Sequence, residues 1–470
     1  MKGLWARAAF VTDGHLAVFT VAWVMVGGLM LQLVVLPYVF TDIYWGHGLI
    51  AGMDWTYFHN VAVEQAERIH VVGWTAWRLR PGGQFPAGLA SALYALVRPE
   101  PWVVLPVNAI LFATAVVATR RLLVATFASR SAALTGVMPF FAFPSFVPIW
   151  GQLHKDVFTG AGFALVLAAL VQARRKDGET GIGALVITGV VGMATLWLAR
   201  PYTIYLVGFG LMAYVVPTIS LRSTNRPRLA VVALAVLMSA LLLMRVPTSS
   251  GDIEFRRDVP SDVIPQFASE PALRGNRWWP RTRLLEASIP AQRVSFNYLA
   301  CAPRPTAASD WIDRLLFSAC LYREGFKSNG ATSGSNHDYD VRMRIPGDFI
   351  AYAPRALQVA ILEPGMSAWG SEESPIGRLA TMFVPFEMIC AYGAFGAALV
   401  FASRQLARLD VLAILGFCVT YVLFFVYTAP NLGLIYRARA FAFVIVVGVA
   451  LAATLSQLEA VRQGHEPEAG

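Results

Sequence analysis

LAVFTVAWVMVGGLMLQLVVLPYV, residues Leu16–Val39, decides how the rest of this chain is read. It carries no charged side chain. A helix rises about 1.5 Å per residue, so roughly 20 apolar residues cross the ~30 Å hydrocarbon core of a bilayer. The apolar run, from about His15 to Phe40, is too long for the hydrophobic part of a cleavable signal, and it predicts a retained membrane span.

Runs of the same kind recur. They are Trp102–Ala118, Ala132–Trp150, Val157–Ala173, Ile182–Ala199, Tyr202–Ser220, Leu229–Val246, Leu379–Ala402, Val411–Tyr427 and Ala440–Leu455. A shorter run, Pro86–Val97, is either an extra span or a helix lying at the membrane interface. The 470 residues are 56% hydrophobic and only 14% charged. Soluble domains carry about 25% charged residues, so lipid must replace water over much of the surface. The expected fold is therefore an all-α polytopic membrane protein of about ten spans.

The net charge is +9, and its distribution argues against nucleic acid as the partner. The basic residues cluster in short loops: Arg120, Arg121 and Arg130, then Arg174, Arg175 and Lys176, then Arg222, Arg226 and Arg228, then Arg404 and Arg408. With ten spans these loops share a side with Lys2 and Arg7, which the positive-inside rule makes cytoplasmic. The expected organisation is an N-terminal transmembrane module, 1–246, with a first outer loop at 41–100. An extracytoplasmic lobe follows at 247–377, then C-terminal transmembrane helices at 378–456 and a cytoplasmic tail at 457–470. Asp348–Glu363 reads as an amphipathic helix that Pro354 starts or breaks. Cys390 and Cys418 lie in apolar runs and read as packing residues. Cys301 and Cys320 lie in the polar lobe and form a disulfide only if that lobe faces an oxidising compartment.

The informative charges are those at span ends on the expected outer side. Asp54 opens an amphipathic stretch, Tyr57–His70, and either caps that helix or serves as a base. His154-Lys155-Asp156 is squeezed between apolar runs. Either Lys155 and Asp156 neutralise each other there, with Asp156 capping the next helix, or Lys155 binds an anionic headgroup. Arg200-Pro201-Tyr202 joins two spans almost without a loop, and Asn431–Arg439 brings Arg437 and Arg439 to the last span. Guanidinium groups match phosphate oxygens bidentately. One acid among several cations suits group transfer from a polyprenyl phosphate. The cations stabilise the leaving phosphate and the carboxylate takes the acceptor's proton. The sequence holds no Gly-x-Ser-x-Gly elbow, Walker loop, His-Glu-x-x-His or Cys-x-x-Cys pattern.

The layout resembles the GT-C superfamily of multi-span glycosyltransferases, which includes protein O-mannosyltransferases and bacterial lipid A aminoarabinose transferases. The likeness rests on a first span, an outer loop bearing Asp54 and then Tyr57, and a stretch from Gly73-Trp74 through Pro81-Gly82-Gly83-Gln84-Phe85-Pro86. It continues into Leu89–Val97 and the span around Asn108. Many relatives show an acidic pair in the loop; Asp42 and Glu64 are the candidates for a second acid here. The resemblance implies an inverting hexosyl or pentosyl transferase of a bacterial inner membrane, with both termini cytoplasmic. It implies a polyprenyl-phosphate sugar as donor and a glycan, lipid or protein as acceptor. It makes Asp54 the catalytic base and leaves a divalent metal open. The substrate-binding candidates are His59, Lys155, Asp156, Arg200, Tyr202, Arg437 and Arg439. Two other readings stay open. One is a polymerase or ligase of a lipid-linked oligosaccharide pathway, which would rely on Arg437, Arg439 and the lobe. The other is a lipid-linked sugar transporter, which would bury charges mid-span, as Glu387 does.

Overall fold

A computed structural model describes residues 11–51, 53–176, 180–201, 203–219, 221, 224–244, 345–363, 375–404 and 408–462, with residues 301, 316–317, 319–320, 323–324, 337–338, 340–341 and 343 of the lobe. Among these residues the chain is an α-helical bundle. Its one sheet is a small hairpin, β1 (Tyr44–Gly46) against β2 (Leu49–Ile50).

Eight helices are long and apolar enough to cross a membrane. The first, α1 (Asp13–Met30), starts at a capping box. Thr12 accepts the His15 amide, and the His15 ring accepts the Thr12 amide in return. It continues through a π-helical turn, Leu31–Val35, to Tyr38. Outside the spans lie α2 (Met53–Val72) and α3 (Phe85–Leu96), packed on each other. Then comes α4 (Leu105–Phe127), which ends where Ala128 turns left-handed at φ 56°. Three short helices follow: α5 (Arg130–Gly136), α6 (Pro139–Ala142) and α7 (Phe146–Gly151). The remaining helices are α8 (Asp156–Arg174), α9 (Ile182–Ala199), α10 (Thr203–Ile219), α11 (Arg226–Met244), α12 (Pro346–Leu362), α13 (Pro375–Arg404), α14 (Leu409–Thr428) and α15 (Leu432–Arg462).

The bundle has two distinct ends. At one, Arg120 and Arg121 share Asp13, Arg174 binds Asp410 at 2.9 Å, Arg408 donates to the Thr126 carbonyl, and Ser129 and Ser131 donate to Glu459. We call this the basic end. The opposite end carries Asp54, His154, Asp156, Arg200 and Arg437. We call it the site end.

Three expectations need correction. Ala132–Trp150 is not one span but the broken run α5–α7. Proline lacks the amide that continues a helix; Pro139 and Pro144 stand at the breaks, and Pro148 is taken up in the first turn of α7. The run still connects the two ends, from Ser129 beside Glu459 to Gly151, whose carbonyl accepts from Gln32 of α1 at 2.7 Å. Pro354 neither starts nor breaks α12 but sits inside it. The last helix runs on through Arg462 rather than ending near Gln457. Pro86–Val97 forms α3, which packs against α2 and is shorter than a span.

The core forms around α8, buried along almost its whole length. Gly162 and Gly192 let the backbones of α8 and α9 meet. A Cβ on Gly162 would lie 2.6 Å from the Gly192 carbonyl oxygen. Edge-on rings of Phe112, Phe140, Phe146 and Phe441 fill the space beside the broken run. Cys301 and Cys320 are joined by a disulfide, and Arg323 of the lobe donates to the Val426 carbonyl at the site end. The lobe residues other than those named at the head of this section, and Tyr202, Arg222, Lys2 and Arg7, lie outside the described residues.

Candidate active site

The site is assembled from chain segments hundreds of residues apart. Its floor is the short link Gly151–Lys155 between α7 and α8. Two polar side chains inside the bundle fix that link. Asn108 of α4 donates to the carbonyls of Trp150 and Gln152, both at 2.9 Å, and Gln32 of α1 holds Gly151. The Gln152 side chain in turn binds the hairpin. It accepts from the Ile50 amide at 3.0 Å and donates to the Gly48 carbonyl at 3.1 Å. Gly48 is left-handed at φ 75° and sits against Gln32, where a Cβ would be 2.6 Å from that side chain. These contacts lock the hairpin, and with it the start of α2, onto the link.

Asp54 lies in the first turn of α2. Its carboxylate accepts from Arg437 at 2.7 Å. His154 Nδ1 is 3.1 Å from Asp156 Oδ2. The Asp156 backbone amide donates to Nδ1 at 3.1 Å, and Arg437 contacts Nε2 at 2.9 Å. Asp156, the first residue of α8, is closed from the other side by Arg200. Lys155 places its ammonium 5.6 Å from the Phe58 ring centre and acts electrostatically on both Asp54 and Asp156. Of the two readings of this pair, mutual neutralisation is not what the structure shows: Arg200 pairs with Asp156 from α9's end while Lys155 turns toward α2.

The electrostatics follow from this packing. Burial alone would raise the Asp54 carboxyl. The charges of Arg437 and Lys155 outweigh it and hold the group well below the usual carboxylate range. Burial, then the Arg437 charge, lowers the His154 ring to about 4 against the pull of Asp156, so the imidazole is neutral at pH 7. Burial and the neighbouring Arg200 lower the Lys155 ammonium to about 8, so it is charged at pH 7. Among the described residues, three cations (Lys155, Arg200 and Arg437) thus face two carboxylates.

The structure therefore brings together Asp54, Lys155, Asp156, Arg200 and Arg437. It places two candidates elsewhere. His59 is buried among aromatic rings, with Nδ1 3.0 Å from the Tyr94 hydroxyl and its ring against Trp45 and His47. Burial, then His47, lowers it to about 3. Five residues after Asp54, it lies on another side of α2, which faces α3. Arg439 is fully buried on the far side of α15, stacked on Tyr436 and Phe443 with Met388 Sδ at 3.0 Å. Two residues turn a helix by about 200°, so Arg437 and Arg439 cannot share one pocket. Tyr202 lies outside the described residues.

Neither candidate for a second loop acid joins the cluster by a hydrogen bond or ion pair among the described residues. Asp42 is exposed and Glu64 pairs with Arg68 one turn along α2. The second carboxylate is instead Asp156. Sequence reasoning named no role for His154, although it sits in the same tripeptide as Lys155; its burial and its contact with Trp55, ring centres 5.5 Å apart, mark it only once the fold is seen. Among the described residues no group of three His, Cys, Asp or Glu side chains is arranged to hold a metal ion. Glu387 of α13 accepts from the Ser145 amide at 2.7 Å and from the Tyr436 hydroxyl, which accounts for its burial within a span.

No protein-family model matches the sequence, and no curated protein is similar to it. Among solved structures, the apo crystal structure of the Archaeoglobus fulgidus oligosaccharyltransferase is similar, with a TM-score of 0.49 and 13% identity. The likeness covers 95% of this chain and 51% of that one, so the chain spans about half the length of that enzyme's chain.

Proposed function

We propose that this chain is a membrane glycosyltransferase that moves a sugar from a polyprenyl-phosphate donor to an acceptor hydroxyl at the site end of the bundle. The single observation that carries the reading is the cluster itself. A carboxylate kept ionised stands in hydrogen-bond contact with an arginine, beside a lysine and a second arginine, at one end of a membrane bundle. A phosphate anion suits the cations beside that carboxylate.

In the proposed reaction the acceptor oxygen attacks the anomeric carbon from the face opposite the phosphate. The new C–O bond forms as the bond to the phosphate oxygen breaks, and the configuration inverts. The electron pair leaves with the phosphate, where Arg437 and Lys155 stabilise it. The acceptor's proton passes to Asp54 as its oxygen attacks. A carboxylate held well below its usual range is a weak base, so Asp54 takes the proton only as the bond forms. Phosphate binding by Arg437 also loosens its grip on Asp54 and returns basicity to it at the moment of need. His154 contacts Arg437 and keeps the guanidinium between phosphate and acid, and Asp156 and Arg200 brace the ring.

The disulfide at the site end supports placing this face in an oxidising, non-cytoplasmic compartment, and the basic residues at the opposite end support a cytoplasmic side there. The direct test is Asp54→Asn in purified, lipid-reconstituted protein supplied with polyprenyl-phosphate sugar. Transfer should fall by about 10²–10⁴-fold while the unfolding temperature holds. Wild-type turnover in that variant would remove Asp54 from the chemistry.

A further inference from the structure

The segment between α2 and α3 is built unlike a water-facing loop. It reads Val71-Val72-Gly73-Trp74-Thr75-Ala76-Trp77-Arg78-Leu79, and its large apolar side chains point outward. Val71 is 85% exposed, Val72 66% and Trp74 52%; Trp77 and Leu79 are also exposed. Isolated exposed apolar residues need no explanation, but a contiguous patch marks a contact surface. This one belongs to none of the eight helices long enough to cross a membrane.

The segment is also held in place. Gly73, at φ 91°, ends α2 with its amide bonded to the Ile69 carbonyl at 2.8 Å. Gln65 of α2 donates to the Arg78 carbonyl at 2.8 Å, and the Trp77 indole donates to the Gly88 carbonyl at 2.9 Å. Gly88 presses on the Leu79 carbonyl so closely that a Cβ there would lie 2.0 Å from it. The apolar residues are therefore displayed by a braced backbone.

Arg80 sets the height of this patch. Its guanidinium donates to the Trp197 carbonyl at 2.5 Å and the Leu198 carbonyl at 3.2 Å, and lies 4.1 Å from the Trp197 ring centre. Those carbonyls end α9, one of the candidate spans, so Arg80 caps its C-terminus. The patch is thus tied to the level where a span leaves the hydrocarbon. Along α9 it continues the outward-facing apolar side chains Ile187, Val190 and Val191. His70 and Arg78 flank it and are exposed. Indole rings beside the Arg78 guanidinium at a span's end suit the headgroup boundary of a bilayer.

The geometry points to residues 71–79 being a membrane-inserted wedge, whose partner is the lipid of the leaflet at the site end. The wedge holds the far end of α2 in the interface, and so sets the depth at which Asp54, at the near end of the same helix, meets a lipid-borne substrate. The insertion itself rests on the reading of α9 as a span, and only its bearing on a lipid-borne substrate rests on the proposed function.

The test uses the full chain reconstituted in liposomes, with Cys390→Ser as background, because Cys418 is buried and Cys301 and Cys320 are bonded. Single cysteines replace Val72, Trp77, Glu67 and Ile187, and each carries a nitroxide. Labels at 72, 77 and 187 should be relaxed more by oxygen than by a water-soluble nickel chelate, and the label at 67, exposed on the same helix, should show the reverse. Modification by a bulky water-soluble maleimide should be lost at 72 and 77 and retained at 67. If 187 behaves as lipid-exposed while 72 and 77 match 67, the wedge is wrong and the span stands. If 187 itself is water-exposed, the spanning reading fails and the wedge falls with it.

Discussion

The two ends of the bundle carry similar residues and differ in how those residues are connected. At the basic end the pairings seen are separate. Arg174 has Asp410, Arg120 and Arg121 have Asp13, and the serines have Glu459. At the site end Asp54, Arg437, His154, Asp156 and Arg200 form one continuous chain of contacts, with Lys155 beside it. Separate pairs fix helices against one another. A connected cluster of perturbed titratable groups marks a candidate site for a ligand.

That contrast can be broken by experiment. Its largest expected consequence is the loss of transfer in Asp54→Asn described above, with no change in stability. The mirror case is Asp410→Ala at the basic end. Removing one partner of a buried ion pair costs about 3–5 kcal/mol, so the midpoint of unfolding should drop clearly. The surviving folded fraction should keep its normal transfer rate; a specific loss of rate would mean that the two ends are not divided as described. A smaller effect is expected from Lys155→Met. It should weaken donor binding by about 10–100-fold, as loss of one charge-assisted contact of 1.5–3 kcal/mol implies.

The sign of a pH effect at Lys155 follows from its charge. The ammonium titrates near 8, so donor affinity should decline as pH rises through that value. Lys155→Arg should move the decline to higher pH, and an unchanged alkaline limb would show that another group titrates. The smallest effect belongs to Arg121→Gln. Arg121 is mostly exposed, and its pairing with Asp13 should contribute less than about 1 kcal/mol. Neither stability nor transfer should move measurably in a urea titration or an activity assay.

The sequence makes the cluster's members visible because charge at the end of an apolar run is costly and therefore rare. Asp54, Lys155, Asp156, Arg200 and Arg437 all stand out on that ground. What the sequence hides is direction. Arg439 carries the same signal as Arg437, yet helical periodicity turns it to the opposite side, among Tyr436, Phe443 and Met388. His59 shares α2 with Asp54 but faces Tyr94. Hydropathy also misleads over Ala132–Trp150. An averaged window sees apolar residues and passes over Pro139 and Pro144, so a run of three short helices reads as a single span. The pairing of His154 with Arg437 joins residues 283 apart in the chain, and no local pattern encodes it.

The widened turn at Leu31–Val35 has a consequence for how this protein can change over time. Such a turn differs from an ordinary one by a single inserted residue. Losing one residue there would restore regular winding and keep the flanking turns in register, so this is the place in α1 that can absorb a deletion. Gln32 lies inside the turn and holds the Gly151 carbonyl, so if Gln32 is the residue lost the hairpin that leads to Asp54 loses its seat. Point substitutions in α1's lipid-facing surface should be tolerated freely, whereas deletion of Gln32 should disable the site while leaving the hydrophobic profile almost unaltered.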